Sequence, residues 1–290
     1  MLSARLQASF DKLRKKREEY ALIPSIGKRI SIDGVDCILH IPEVNHKNLP
    51  LFIELHGGAW VGGDAVMVDS LCRSISQKTP CVAVNVNYKK LDVHPFPYPM
   101  DEVITVINHF CSHAEECGID PDKIVICGQS AGSHIAAGAA VIAKSKGIKL
   151  ARQILVYPFL DFTGVYYNPL PENKTKEEAE QINELYFGGL DMAEAFLSPA
   201  VAKEEDLEGI APADIILCTK DELRPHGFAY YEKLKGMGID VTLKEYANAV
   251  HGFLEVNRDD YIAAGDTGSL EQAIYTEDCE NYIIDIMKKI

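Results

Sequence analysis

The sequence is short of several things that would point elsewhere. It has no uninterrupted apolar run near the ~18 residues that a membrane-spanning helix needs, and no basic start followed by an apolar core of the secretory type. No membrane role is expected. Met1 to Leu6 faintly resembles a transit peptide, but Asp11, Glu18 and Glu19 put acids where such segments avoid them, so the expected location is cytoplasmic. The eight cysteines include no C-x-x-C pair, and several fall inside apolar strand patterns, which reads as buried thiols in a reducing compartment. Neither histidine nor cysteine recurs at metal-ligand spacing, and no G-x-x-x-x-G-K phosphate loop occurs, so neither metal nor cofactor is expected. Positive charge is also scarce: 29 Lys and Arg stand against 43 Asp and Glu, a net charge of −14. A field of that sign repels nucleic acid, anionic membranes and polyanionic substrates. The one basic cluster, Lys12 to Arg17, is followed by Glu18 and Glu19 and reads as a solvated helix face. Oligomeric state leaves no mark in the sequence.

The chain does contain a regular rhythm. Apolar strand-like runs alternate with helical segments over 66–78, 99–117, 130–146, 225–237 and 269–289, which predicts a mostly parallel sheet with helices on both faces. Ile30–Ile32 and Val35–Leu39, joined by Asp33-Gly34, predict an antiparallel hairpin at its edge. With 290 residues and 47% hydrophobic content, residues 1–290 are expected to form a single α/β domain.

The most informative local pattern is Gly128-Gln129-Ser130-Ala131-Gly132, which ends the apolar run Lys123–Cys127 and opens a stretch of small residues. A strand, a sharp turn and a helix are the context that G-x-S-x-G needs to act as a nucleophile elbow, and without that context the motif is only a glycine-bracketed turn. Upstream, the run Leu51–Leu55 empties into His56-Gly57-Gly58-Ala59-Trp60. Consecutive glycines after a strand leave backbone N–H groups free to face a cavity, as a developing oxyanion requires. The candidate donors are Gly57, Gly58 and Ala131.

An acid and a histidine should follow later in the chain. Asp161 and Asp221 each follow a strand-like run, and Asp221 is favoured because its segment leads through a helix and a strand to His251. His226 competes as the base, but it falls at a helix start. His40, His46, His109 and His113 read as surface or packing residues, His56 as a brace for the glycine loop, and His134 as pointing down its helix.

Several stretches together resemble the hormone-sensitive lipase-like family of α/β-hydrolase esterases: His56-Gly57-Gly58, Tyr88 to Pro97, Gly128–Gly132, Ser198-Pro199, Asp221–Arg224 and His251-Gly252-Phe253. The resemblance implies an α/β-hydrolase fold and a carboxylic-ester hydrolase with Ser130 as nucleophile, Asp221 as acid and His251 as base. The chain departs from the family pattern at Gln129, Ala59 and Glu222, which bears on substrate class more than on chemistry. An amidase or arylformamidase with the same triad is the alternative, and a non-catalytic receptor on this fold a more distant one.

Residues 162–209 break the rhythm. Thr175-Lys176-Glu177-Glu178 is a capping box, Ala179, Ile182, Leu185 and Tyr186 form a stripe, and Gly188-Gly189 ends the helix. This segment, with residues 1–25, is expected to form a small helical cap, approached through the polar, proline-broken 168–173. A cap this short predicts an enclosed pocket for small-molecule, uncharged, water-soluble esters with acetyl to butyryl groups, acetylated sugars among them. Trp60 could be an anchor of the loop or a wall of that pocket.

Overall fold

The computed structural model describes residues 2–43, 47–166, 175–255 and 270–290. Its strands are β1 (Lys28–Ile32), β2 (Val35–His40), β3 (Leu49–Leu55), β4 (Val82–Val86), β5 (Ile119–Gln129), β6 (Arg152–Val156), β7 (Ala213–Cys218) and β8 (Val241–Tyr246). They form one sheet in the order β1-β2-β4-β3-β5-β6-β7-β8. β1 and β2 pair antiparallel to each other, as does β2 to β4, and β3 through β8 run parallel. Asp33 and Gly34, both at positive φ, close the hairpin between β1 and β2. This is the mostly parallel sheet that the alternation predicts, in the α/β-hydrolase arrangement that the motif resemblance implies.

The helices are α1 (Ala4–Ala21), α2 (Asp69–Lys78), α3 (Tyr98–Ser112), α4 (Ala114–Cys117), α5 (Ala131–Ser145), α6 (Lys176–Phe187), α7 (Glu204–Leu207), α8 (Arg224–Gly236) and α9 (Leu270–Met287). Strand alternation divides the core in two. Leu51, Ile53 and Leu55, with Ile124 and Ile126, pack toward α3, α5 and α8, whereas Phe52, Val125 and Cys127 pack toward Leu71 and Ile75 of α2 and Ile283 and Met287 of α9. Because the central strands are buried on both faces, they read as continuous apolar runs.

α6 falls between β6 and β7 in the chain and begins with the expected capping box, in which Thr175 and Glu178 satisfy each other's backbone N–H. Glu178 also accepts from Ser3 Oγ at 2.8 Å and pairs with Arg5 at 2.5 Å, while Ser3 N donates to Gln181 Oε1 at 2.7 Å. Phe10 packs edge-on to Tyr186, so α1 lies against α6. The basic face of α1 differs from its sequence reading: Arg14 and Arg17 turn inward to the buried Asp92, and Arg17 also donates to Val61 O. Two guanidiniums around one carboxylate hold it below the usual carboxylate range against the opposing effect of burial. The approach at 168–173 and His46 lie outside the described residues. Among the described residues, no helix is long and apolar enough to cross a membrane.

Candidate active site

The parallel strands bring the candidate residues to one edge of the sheet. Leu55, the last residue of β3, is in register with Gly128 of β5, so the glycine loop and the serine turn leave the sheet side by side. Ser130 has φ 52° and ψ −117°, an unfavourable backbone for a residue with a Cβ. Its neighbours explain why the turn needs glycines. A Cβ on Gly128 would sit 2.5 Å from Gly132 O, and one on Gly132 would sit 2.0 Å from Leu55 O. Ser130 N donates to Val156 O at 3.0 Å, which ties the turn to β6.

Asp221 follows β7 and His251 follows β8. Ser130 Oγ lies 2.8 Å from His251 Nε2, and His251 Nδ1 lies 2.7 Å from Asp221 Oδ2. The other oxygen of Asp221 accepts from Leu223 N at 2.9 Å, so the carboxylate is held at both ends. The loop carrying His251 is fixed by Lys220 N on Ala249 O and by Val250 N on Gln272 Oε1. With Nδ1–H donated to a carboxylate, Nε2 of the imidazole is left to accept the serine proton.

The competing candidates are occupied elsewhere. Asp161 is buried and accepts from Thr163 N, Thr163 Oγ1 and Tyr166 N at 2.8, 2.5 and 3.0 Å, closing its own turn. His226 Nδ1 accepts from Leu160 N. His40 faces Asp69 across 2.5 Å in the interior, and the rings of His109 and His113 lie 4.6 Å apart and tilted at the C-terminal end of α3.

The glycine loop is built from unusual backbone. Gly58, Ala59 and Trp60 have φ of 130°, 50° and 62°. Gly58 O accepts from Gly62 N at 2.8 Å, which turns the N–H of Ala59, in the same peptide plane, the other way. A Cβ on Gly58 would meet Gly62 O at 2.5 Å. Gly57 is buried, and its carbonyl lies 2.6 Å from His56 Nδ1. His56 is itself buried, stacked on Tyr88 and 3.1 Å from Lys90 Nζ. Burial and, secondarily, the Lys90 charge push its pKa well below the usual histidine range.

With this geometry in place, the comparisons with known proteins are decisive for the family. The alpha/beta hydrolase fold family profile matches residues 52–255, well over half the chain. The chain belongs to that family. It is 28% identical to a carboxylesterase of Mycobacterium tuberculosis, NlhH, over 84% of this chain and 80% of that one. It is 28% identical to an arylesterase of Saccharolobus solfataricus over 73% of this chain and 70% of that one. A hyperthermophilic esterase from Pyrobaculum calidifontis superposes with a TM-score of 0.77, covering 99% of this chain and 98% of its own at 23% identity, which is a likeness of fold. The hormone-sensitive lipase-like resemblance seen in the motifs agrees with these relatives.

Two openings of this alpha/beta hydrolase meet at Ser130 and His251. One, about 340 Å³, is walled by Trp60, Phe159, Phe162, Ile182, Tyr186 and Phe187. The other, about 320 Å³, runs past Gly58, Ala59 and Gly62 to Leu13, Lys16 and Tyr20 of α1. Ala131 borders the first opening and Ala59 borders both, whereas Gly57 borders neither. Trp60 serves as both anchor and wall: its Nε1 donates to His134 Nδ1 at 3.1 Å while its ring packs on Phe159 and Phe162. His134 in turn donates Nε2–H to Leu197 O, and burial lowers its pKa to about 3, so it is a neutral strut. The departures at 129 and 222 line neither opening. Gln129 is buried and donates to the buried carboxylate of Glu54, and Glu222 is exposed.

The sequence did not single out Lys90 or Asp92, because His56, on which Lys90 bears, and Arg14 and Arg17, which hold Asp92, are distant in the chain. Among the described residues, no group of three His, Cys, Asp or Glu side chains is placed to hold a metal.

Proposed function

We propose that this chain is a carboxylesterase that acts through an acyl-enzyme on Ser130. The hydrogen-bonded line Ser130–His251–Asp221 is the observation that carries this reading. His251 Nε2 takes the Oγ proton as Oγ attacks the ester carbonyl, and Asp221 keeps the ring in the Nδ1–H tautomer and stabilises the imidazolium. The imidazolium then protonates the leaving alcohol, and water repeats the sequence on the acyl group. The oxyanion is held by the N–H groups of Gly58, Ala59 and Ala131. Ala59 takes the place of Gly57 in this reading because Gly57 is buried and borders neither opening, whereas Ala59 borders both. Each such donor contributes roughly 3 kcal/mol in the transition state.

The substrate reading is a short-acyl, uncharged, water-soluble ester, with α1 and the 162–209 segment acting as the cap. A pocket of about 340 Å³ closed by aromatic rings supports it, since rings locked against each other do not yield to a lengthening chain. The polar lip formed by Lys16 and Tyr20 suits a hydrated alcohol such as an acetylated sugar. The test is a hydrolysis panel from acetyl to dodecanoyl esters, with matched anilides and acetylated sugars. The expected result is a kcat/KM maximum between acetyl and butyryl and slower anilide cleavage. A steady rise to decanoyl would overturn the short-acyl reading, and faster anilide cleavage would make the enzyme an amidase.

A further inference from the structure

Lys90 is a buried cation that the reaction does not use. Its ammonium makes three contacts, with His56 Nε2 at 3.1 Å, Asn87 Oδ1 at 3.1 Å and Tyr88 O at 2.6 Å, and stands 4.1 Å from the centre of the Tyr88 ring. It forms no ion pair among the described residues. Burying a cation without a carboxylate partner is costly, and burial lowers its pKa to about 7. Such a residue needs a reason to be there.

In its charged form, held below about pH 7, the ammonium can only donate, and with Tyr88 O and Asn87 Oδ1 taking two of its protons the third goes to His56 Nε2, which must accept. The remaining ring proton therefore sits on Nδ1 and is donated to Gly57 O across 2.6 Å. The bond between Gly57 and Gly58 is trans, and in a trans peptide the C=O and the following N–H point in opposite directions. Pinning the Gly57 carbonyl inward thus turns the Gly58 N–H outward to the cleft. Gly63 packs against the same contact: a Cβ there would meet Gly57 O at 2.5 Å and His56 Nδ1 at 2.6 Å, which leaves no room for water. Tyr88 steadies the imidazole from below, stacked at 4.5 Å, and its hydroxyl donates to His56 O at 2.9 Å.

We propose that Lys90 is a positioning residue for the oxyanion site, acting through the His56 imidazole and the Gly57 carbonyl to set the direction of the Gly58 N–H. The inference rests on the ester-hydrolase reading above. Without the cation, His56 is free to carry its proton on Nε2. Its Nδ1 lone pair would then face the Gly57 oxygen at hydrogen-bond distance, and the repulsion is relieved by turning the peptide, which takes the Gly58 N–H out of the cleft.

The test compares wild type with Lys90→Met, which keeps most of the apolar stem and removes the donor. Three quantities are read at pH 6, where Lys90 is charged: steady-state kinetics on a short ester, affinity for an aryl trifluoromethyl ketone, and affinity for the corresponding non-electrophilic alcohol. Ser130 Oγ adds to the ketone carbon, its proton passes to His251 and the carbonyl oxygen becomes the bound oxyanion, so the ketone reports the donors and the alcohol does not. The variant should lose roughly 10- to 100-fold in kcat and in ketone affinity, with KM and alcohol affinity held within about twofold. Independently of any variant, ¹⁵N spectra of wild-type imidazoles at pH 6 should show His56 neutral with the proton on Nδ1. Loss of ketone and alcohol binding in equal measure, unaltered kinetics, or a proton on Nε2 of His56 would overturn the relay. Failure of wild type to react with a fluorophosphonate would instead overturn the serine-hydrolase reading, and the relay with it.

Discussion

Two histidines in this molecule carry the same pattern of hydrogen bonds in opposite surroundings. His251 and His56 each have Nδ1 against an oxygen and Nε2 against a proton donor: Asp221 and Ser130 for the first, Gly57 and Lys90 for the second. The His251 side chain is 38% exposed, whereas His56 is fully buried. A carboxylate at Nδ1 stabilises the positive ring that forms when His251 takes a proton. Burial and, after it, the Lys90 charge disfavour a positive ring on His56, against the bond to Gly57 O, which favours it. An imidazole becomes a base through the charge of its neighbours and access to its free nitrogen; the ring itself is the same in both places.

The comparison can be broken most severely at the proton donor. Ser130→Ala removes the group that His251 serves, and kcat on a short ester should fall by roughly four to six powers of ten while the circular dichroism spectrum is kept. Comparable activity in that variant would mean that another residue attacks the ester. A smaller but more instructive loss comes from Asp221→Asn, which gives His251 the neutral oxygen partner that His56 has. It should lower kcat by ~10⁴, whereas Asp161→Asn, whose carboxylate only closes a turn, should cost far less. The opposite ranking in steady-state kinetics would assign the acid to the other loop.

The smallest effect concerns the buried side of the comparison. Burial holds Lys90 at about 7 against an ordinary 10.5, opposed by Asp64, Glu102 and Asp36 and assisted by Arg17. Between those two values the unfolded chain binds a proton that the folded chain has released, so the stability contributed by this site rises with pH across that window and is lost as pH falls through 7. Thermal melts of wild type and Lys90→Met between pH 6 and about 10 should therefore show wild type gaining on the variant as pH rises. A constant difference would show that Lys90 titrates as it does in the unfolded chain.

How much of this was legible in the sequence depends on how far apart the interacting groups lie. The elbow was readable because the glycines at 128 and 132 answer to contacts made within one turn and with the adjacent strand. The meeting of Asp221 with His251 was readable from chain order, since one helix and one strand separate them and the neighbouring parallel strands β7 and β8 deliver their following loops side by side. The capping box of α6 was readable because it is four consecutive residues. The orientation of the glycine loop was not: whether Gly57 or Ala59 faces the cleft depends on His56, Lys90 and Gly62, and no spacing rule encodes which carbonyl a buried imidazole engages. For the same reason Arg14 and Arg17 looked solvated, because Asp92 lies more than seventy positions away.

The backbone of Ser130 has a further consequence for how this enzyme can change over generations. A residue held at φ 52° costs about 1–3 kcal/mol relative to a relaxed turn, and glycine at that position would recover much of it. Replacing the serine by glycine is therefore downhill in stability and, on the proposed mechanism, steeply uphill in catalysis. A lineage released from the need to hydrolyse its substrate would drift toward a sturdier, inert protein with the same fold.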